Sequence, residues 1–249
     1  MSESATRVAL ITGASRGIGA ATAVLLGARG YKVGVNYQRR GEDAERVVAA
    51  VRAAGGDAIA LQADIGSSAD IERMFGELDE RFGPLTALVN NAGISGPKCR
   101  LEGLAVDQLE LILRVNVIGT MVCTQQAVKR MSTRHGGRGG SIVNVSSGAA
   151  HRGNANSGIH YAVSKGAVNS FTIGASQELG ADGIRVSAVS PGLTRTEMPD
   201  PARFEKEAPG IPMGRVGEPE EIARAIVWLL SDDASYVSGA NLRVAGGRP

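Results

Sequence analysis

Apolar residues along this chain fall into short continuous runs, and longer amphipathic stretches separate them almost to the end. Runs of strand type occupy Arg7–Thr12, Tyr31–Tyr37, Ala58–Gln62, Leu85–Val89, Ser141–Val145, Ile184–Val189 and Gly239–Val244. Between them, apolar positions spaced three and four apart predict helices over Ala20–Arg29, Glu42–Ala54, Ile71–Phe82, Val106–Met131, Tyr161–Leu179 and Glu218–Leu230. Strand and helix in strict alternation are the pattern of an α/β fold, a doubly wound parallel sheet of about seven strands with helices on both faces. At 249 residues the chain suits one such domain, 1–249, better than two. Only the segment 195–213 breaks the rhythm: Pro199, Pro201, Pro209 and Pro212 deny it regular periodicity, and it reads as a mobile substrate lid.

Charge narrows the function without naming it. The 27 basic and 25 acidic residues are spread along the sequence and leave a net charge of +2, with no surface suited to nucleic acid or to a membrane. The two cysteines, Cys99 and Cys123, have neither metal nor redox spacing, and no metal site is expected. No apolar run is expected to reach the roughly 18 residues of a membrane span. The start Met1-Ser2-Glu3-Ser4 has no signal-peptide pattern, so the expected compartment is the cytoplasm.

The chemistry begins where the first strand ends, at Gly13-Ala14-Ser15-Arg16-Gly17-Ile18-Gly19. A strand, a glycine turn and a helix make the first half of a dinucleotide site, in which amides at the helix N-terminus receive a pyrophosphate. The second strand ends in Asn36-Tyr37-Gln38-Arg39-Arg40, where the adenosine ribose is expected. No carboxylate appears there before Glu42, whereas Arg16 and the Arg39-Arg40 pair offer cations for a 2′-phosphate, so NADP(H) is favoured over NAD(H). Asp64-Ile65 follows the third strand, where Asp64 suits either the adenine amino group or a helix cap. Asn90-Asn91-Ala92-Gly93 ends the fourth strand and permits close backbone approach to a ligand. Asn116 sits mid-helix, where an asparagine needs a reason. The fifth strand delivers Ser146-Ser147, and 14 residues after Ser147 comes Tyr161, with Lys165 one helical turn further on.

Taken together, the glycine turn, Asn90-Asn91-Ala92-Gly93, Asn116, Ser147, Tyr161-x-x-x-Lys165 and Pro191-Gly192 stand in the order seen in the short-chain dehydrogenase/reductase family. The resemblance runs from Val8 to Gly247, and only 84 residues follow Lys165, as in the single-domain branch of that family. It implies a Rossmann-type fold and an oxidoreductase that moves a hydride between NADP(H) and a carbonyl or alcohol. Tyr161 would be the acid/base, Lys165 its activator and a ribose ligand, Ser147 the anchor of the substrate oxygen, and Asn116 the holder of a water that links Lys165 to solvent. The cofactor would lie along Gly13, Ser15, Arg16, Gly17, Ile18 and Gly19, then Asn36, Tyr37, Gln38, Arg39, Asp64 and Ile65. Asn91, Ala92 and Gly93, followed by Pro191, Gly192, Thr194 and Thr196, would complete its contacts beside Tyr161 and Lys165. The resemblance implies a small-molecule substrate and a homotetramer or dimer. Sugar dehydrogenases and 3-oxoacyl-acyl-carrier-protein reductases are the near alternatives, and a cofactor-binding scaffold without turnover is the distant one. His151 and His160 are read as packing in the substrate wall.

Overall fold

The computed structural model describes residues 7–248; the start Met1-Ser2-Glu3-Ser4 lies outside the described residues. Seven strands form one sheet: β1 (Val8–Ile11), β2 (Lys32–Tyr37), β3 (Asp57–Gln62), β4 (Ala87–Asn90), β5 (Gly140–Val145), β6 (Ile184–Pro191) and β7 (Asn241–Val244). Their order across it is β3-β2-β1-β4-β5-β6-β7, and every pairing is parallel. The strands feed helices α1 (Gly17–Gly27), α2 (Gly41–Ala53), α3 (Ser68–Phe82), α4 (Val106–Leu113), α5 (Thr120–Met131), α6 (Ala149–Arg152), α7 (Ile159–Leu179), α8 (Ala202–Glu207) and α9 (Pro219–Leu230). This is the doubly wound α/β fold that the alternating pattern predicts.

Two cores explain why the strands read as unbroken apolar runs. On one face α1, α2 and α9 bury Leu26, Val47, Val51, Ile226 and Leu230 against Ile11, Val33 and Val89. On the other, α3, α5 and α7 bury Phe75, Leu78, Ala127, Met131 and Leu179 against Leu10, Leu88 and Ile142. Successive strand residues point to opposite faces and both faces are covered, so the strands are mostly apolar, and a buried polar side chain such as Asn36 or Asn144 is hydrogen-bonded. Chain order reverses between β1 and β4, and an open α/β sheet places its ligand cleft outside the carboxyl ends of the strands at that switch.

Two elements depart from the pattern. The long helix expected over Val106–Met131 is two α-helices joined by a π-helical turn, Arg114–Gly119. Taken as one run it is also long and apolar enough to cross a membrane by length and composition, with a mean hydropathy of 1.3, contrary to the expectation that no segment is. It buries Ile112, Cys123, Ala127 and Met131 inside this fold, as a core helix does. The segment 195–213, expected to be irregular, contains α8 and the turn Ala208–Gly210, and Phe204, Ile211 and Val216 form a small core of their own.

Candidate active site

The glycine turn is shaped by close approach. Gly13 has φ +61° and a Cβ there would stand 2.9 Å from Ala92 Cα, while Gly17 has φ +57° and faces Thr196. Side chains lock that geometry from beneath: Thr12 Oγ1 accepts from the Asn91 and Ala92 amides at 3.0 Å each. The Asn91 side-chain amide donates to the Thr12 and Gly13 carbonyls at 2.9 Å each. A Cβ at Gly19 would meet Asn91 Nδ2 at 2.6 Å. Asn36 accepts from the Gly13 amide at 2.9 Å and donates to the Leu61 and Ala63 carbonyls, so its buried side chain braces the turn. Thr12 is the residue that sequence reading missed here, because its role depends on β4 lying beside β1.

Around this turn opens a cleft of about 390 Å³. Ser15, Arg16, Gly17 and Ile18 line it together with Tyr37, Gln38, Arg39, Asp64 and Ile65. Ala92 and Thr196, against Gly13 and Gly17, line it as well, as do Gly93, Ser147, Tyr161, Lys165 and Pro191. Of the remaining expected residues, Gly19 and Asn116 lie behind the wall. Thr194 is buried with its hydroxyl donating to the Gly192 carbonyl at 3.2 Å. Asp64 accepts from the Gly66 amide at 2.7 Å, and the cap of α3 is Ser67, which accepts from the Asp70 amide.

Three residues from two parts of the fold, the end of β5 and the helix α7, meet at the closed end. Ser147 follows β5, and Tyr161 and Lys165 stand one turn apart on α7. The neighbouring Ser146 is buried, and its hydroxyl donates to Asn169 Oδ1 at 2.6 Å and to the Lys165 carbonyl at 3.1 Å. Ser147 lines the cleft, and its Oγ accepts from the Ala149 amide at 3.1 Å. Burial pushes the Tyr161 phenol up from its ordinary 10, and a hydrogen bond from Ser147 draws it back in part. Burial also brings the Lys165 ammonium down to about 8. Its Nζ donates to the Val145 carbonyl at 2.7 Å and lies 5.9 Å from the centre of the Tyr161 ring.

Asn116 explains the π-helical turn. Its side chain exchanges two hydrogen bonds with the backbone of Ile94, both 2.9 Å, and donates to Ser164 at 3.0 Å. The extra residue in the turn aims that amide sideways into the segment after β4, as π-bulges at functional sites do. A Cβ on Gly93 would stand 3.3 Å from both Asn116 Oδ1 and Lys165 Nζ, so the two share one wall.

Other polar candidates are set apart from this centre. His160 is buried with Nε2 3.2 Å from the Ser95 carbonyl, pinning the loop before α4. Burial drives the Cys123 thiol up to about 12, which keeps it inert at neutral pH. Among the described residues no three His, Cys, Asp or Glu side chains gather as metal ligands would.

Sequence reading also missed Glu197. Its carboxylate accepts from Arg16 Nη1 at 2.6 Å and from Arg40 Nη1 at 2.9 Å, and it lines the same cleft. The region where no carboxylate precedes Glu42 in sequence thus receives one in space, from 181 residues beyond Arg16.

The chain is similar to known proteins along nearly its whole length. A family model described as enoyl-(acyl carrier protein) reductase matches residues 13–248. The chain is 48% identical to the oxidoreductase YgfF of Escherichia coli, over 97% of this chain and 99% of that protein. It is 37% identical to a 3-oxoacyl-[acyl-carrier-protein] reductase of Synechocystis, over 97% and 96%. Among solved structures, a short chain dehydrogenase of Burkholderia cenocepacia in complex with NADP superposes with a TM-score of 0.89 at 35% identity, covering 97% of each chain.

Proposed function

This chain belongs to the short-chain dehydrogenase/reductase family and is an oxidoreductase, and from that premise we propose that it transfers a hydride between NADP(H) and a small carbonyl or alcohol substrate by a Ser-Tyr-Lys mechanism. The observation that carries the reading is the meeting of Ser147, Tyr161 and buried Lys165 at one end of a cleft whose other end is the glycine turn.

The residues fit a dinucleotide. Gly13 lets the turn pass close against Ala92, and Gly17 opens α1 in the cleft, where the amides of a helix N-terminus suit a pyrophosphate. Arg16 and Arg40 already hold one anion, the Glu197 carboxylate, which supports a phosphate at that end. The bound nicotinamide cofactor supplies or accepts the hydride. Toward the substrate, Ser147 donates a hydrogen bond to the reacting oxygen and stabilises the charge that develops on it. Tyr161 gives its phenol proton to that oxygen in reduction and takes the alcohol proton in oxidation. Lys165, charged below about pH 8, favours the phenolate form and offers donors to the ribose hydroxyls. Asn116 holds the backbone of Ile94 and, through the shared wall at Gly93, the space beside Lys165 where a proton-carrying water would stand.

A cytoplasmic homotetramer is the assembly we propose. Leu111, Ile118 and Met121 on the α4–α5 run and Val163 and Ile173 on α7 are exposed apolar side chains, and Trp228 and Leu242 form a second such group. Both sets suit burial against further copies. A second reading, reduction of the 3-oxo group of an acyl chain held as a thioester on an acyl-carrier protein, is favoured by the Synechocystis relative. Against it, Arg130 is spent on Asp79 at 2.7 Å and on the Phe75 ring, which takes one of the Lys129-Arg130 pair away from an acidic carrier. NADPH consumption over a panel of ketones, sugars and acyl thioesters tests both readings. Turnover of none of them would overturn the proposal.

A further inference from the structure

The cleft contains a charged group for which the proton-transfer scheme has no use. Glu197 is the first residue beyond the anchored root of the lid, where the Arg195 amide donates to the Gly217 carbonyl at 2.8 Å and Thr196 packs on Gly17. A single oxygen, Oε2, takes both guanidinium groups, Arg16 at 2.6 Å and Arg40 at 2.9 Å. Arg16 comes from the glycine turn, Arg40 from the end of β2 and Glu197 from the lid, so three separated segments converge on one anion seat. Nothing in the fold of the sheet requires the contact. All three side chains are about half exposed, and the pair of bonds does not plug a gap in either core.

We infer that Glu197 is a specificity-determining residue for the cofactor: its carboxylate occupies the seat that a 2′-phosphate takes, and so it opposes NADP(H) while leaving NAD(H) unaffected. The inference rests on the proposed use of a nicotinamide dinucleotide by this cleft. A phosphate monoester carries roughly −1.5 to −2 charges at neutral pH and accepts from a guanidinium more strongly than a carboxylate does, so it displaces Glu197. The displacement has a cost, because two charge-assisted bonds break and a like charge stays nearby. A 2′-hydroxyl makes no claim on the guanidinium groups, and Glu197 keeps both. The preference of this chain for NADP(H) is accordingly narrower than its arginines alone would give it.

Dissociation constants measured by the fluorescence of NADPH and NADH, and by calorimetry with 2′,5′-ADP and 5′-AMP, test this without turnover. Glu197→Gln should tighten NADPH and 2′,5′-ADP about three- to tenfold, the scale of exposed charge pairs, and move NADH and 5′-AMP less than about twofold. In an Arg16→Gln/Arg40→Gln background the same substitution should have no effect, since nothing is left to compete for. Unchanged or weaker NADPH binding by Glu197→Gln, with the arginine variants still losing NADPH, overturns the inference alone. If wild type prefers NADH and the arginine variants leave NADPH unmoved, the proposed NADP(H) dependence falls and the inference with it.

Discussion

Lys165 Nζ stands 5.9 Å from the centre of the Tyr161 ring, and its hydrogen bond goes to the carbonyl of Val145. The two groups are neighbours on one face of α7, yet burial outweighs their attraction. The phenol is raised and the ammonium lowered, each toward its neutral form. The centre therefore rests as a neutral phenol beside a lysine that is only weakly held in its charged form. A neutral phenol is the form that the proposed reduction requires of Tyr161.

Removing the phenol hydroxyl tests the assignment directly. Tyr161→Phe keeps the ring against the wall but has no proton to give, and the expected loss in kcat is on the order of 10²–10⁴. NADPH binding should stay within about twofold. A variant that keeps wild-type turnover refutes Tyr161 as the acid/base.

The pH profile separates the lysine from the tyrosine. With Lys165 lowered to about 8, the ammonium is present below that pH and lost above it, so kcat/KM for carbonyl reduction should fall as pH rises through about 8. Lys165→Arg, which remains charged throughout, should move or abolish that limb even at reduced activity. A limb identical in both proteins would belong to another group.

The adjacent serines should part company. Ser147→Ala removes the donor to the substrate oxygen and should cost about 10²–10³ in kcat with little change in melting temperature. Ser146→Ala breaks a buried hydrogen bond to Asn169 and should lower stability by about 1–3 kcal/mol. Thermal melts paired with initial rates distinguish them. Equal activity losses without a stability difference would show that both serines face the ligand.

How far such a site can be read from sequence depends on how local its causes are. Strands buried on both faces leave plain apolar runs, and Gly13, Gly17 and Gly19 announce a turn that admits no side chain. Tyr161 and Lys165 share a helix, so their spacing alone brings them together. Asn116 is harder: its position mid-helix raises a question that only the π-helical turn and the Ile94 backbone answer. Thr12 opens the glycine motif, but the hold of its hydroxyl on the Asn91 and Ala92 amides follows only from β4 lying beside β1, and Glu197 gives no sequence signal because it meets Arg40 from 157 residues away. No carboxylate stands at the end of β2 in sequence, and the segment 195–213 brings one there from a distance. Sequence reading also set Arg39 and Arg40 side by side; the fold gives the anion to Arg40.

Acid should loosen α8 and its surroundings before it unfolds the sheet. The Glu207 carboxyl on α8 is held at about 2, well below its ordinary 4.5, first by the hydrogen bond from Arg203 at 2.6 Å and then by Arg248, also at 2.6 Å. Its folded pKa lies below its unfolded one, so between the two values the unfolded chain binds more protons than the folded chain. The clamp's stabilising effect is therefore complete above about pH 4.5 and drains away as pH falls toward about 2. Arg248→Ala removes one arm of the clamp and should lower the melting temperature at pH 7. The gap between variant and wild type should then shrink as the pH is lowered from 5 to 3. Protection of α8 amides from hydrogen exchange should fall in the variant, while that of β4 and β5 remains. A melting-temperature gap that stays constant from pH 7 to 3 would mean that Arg248 acts through packing, with the charge on Glu207 irrelevant to how α8 is held.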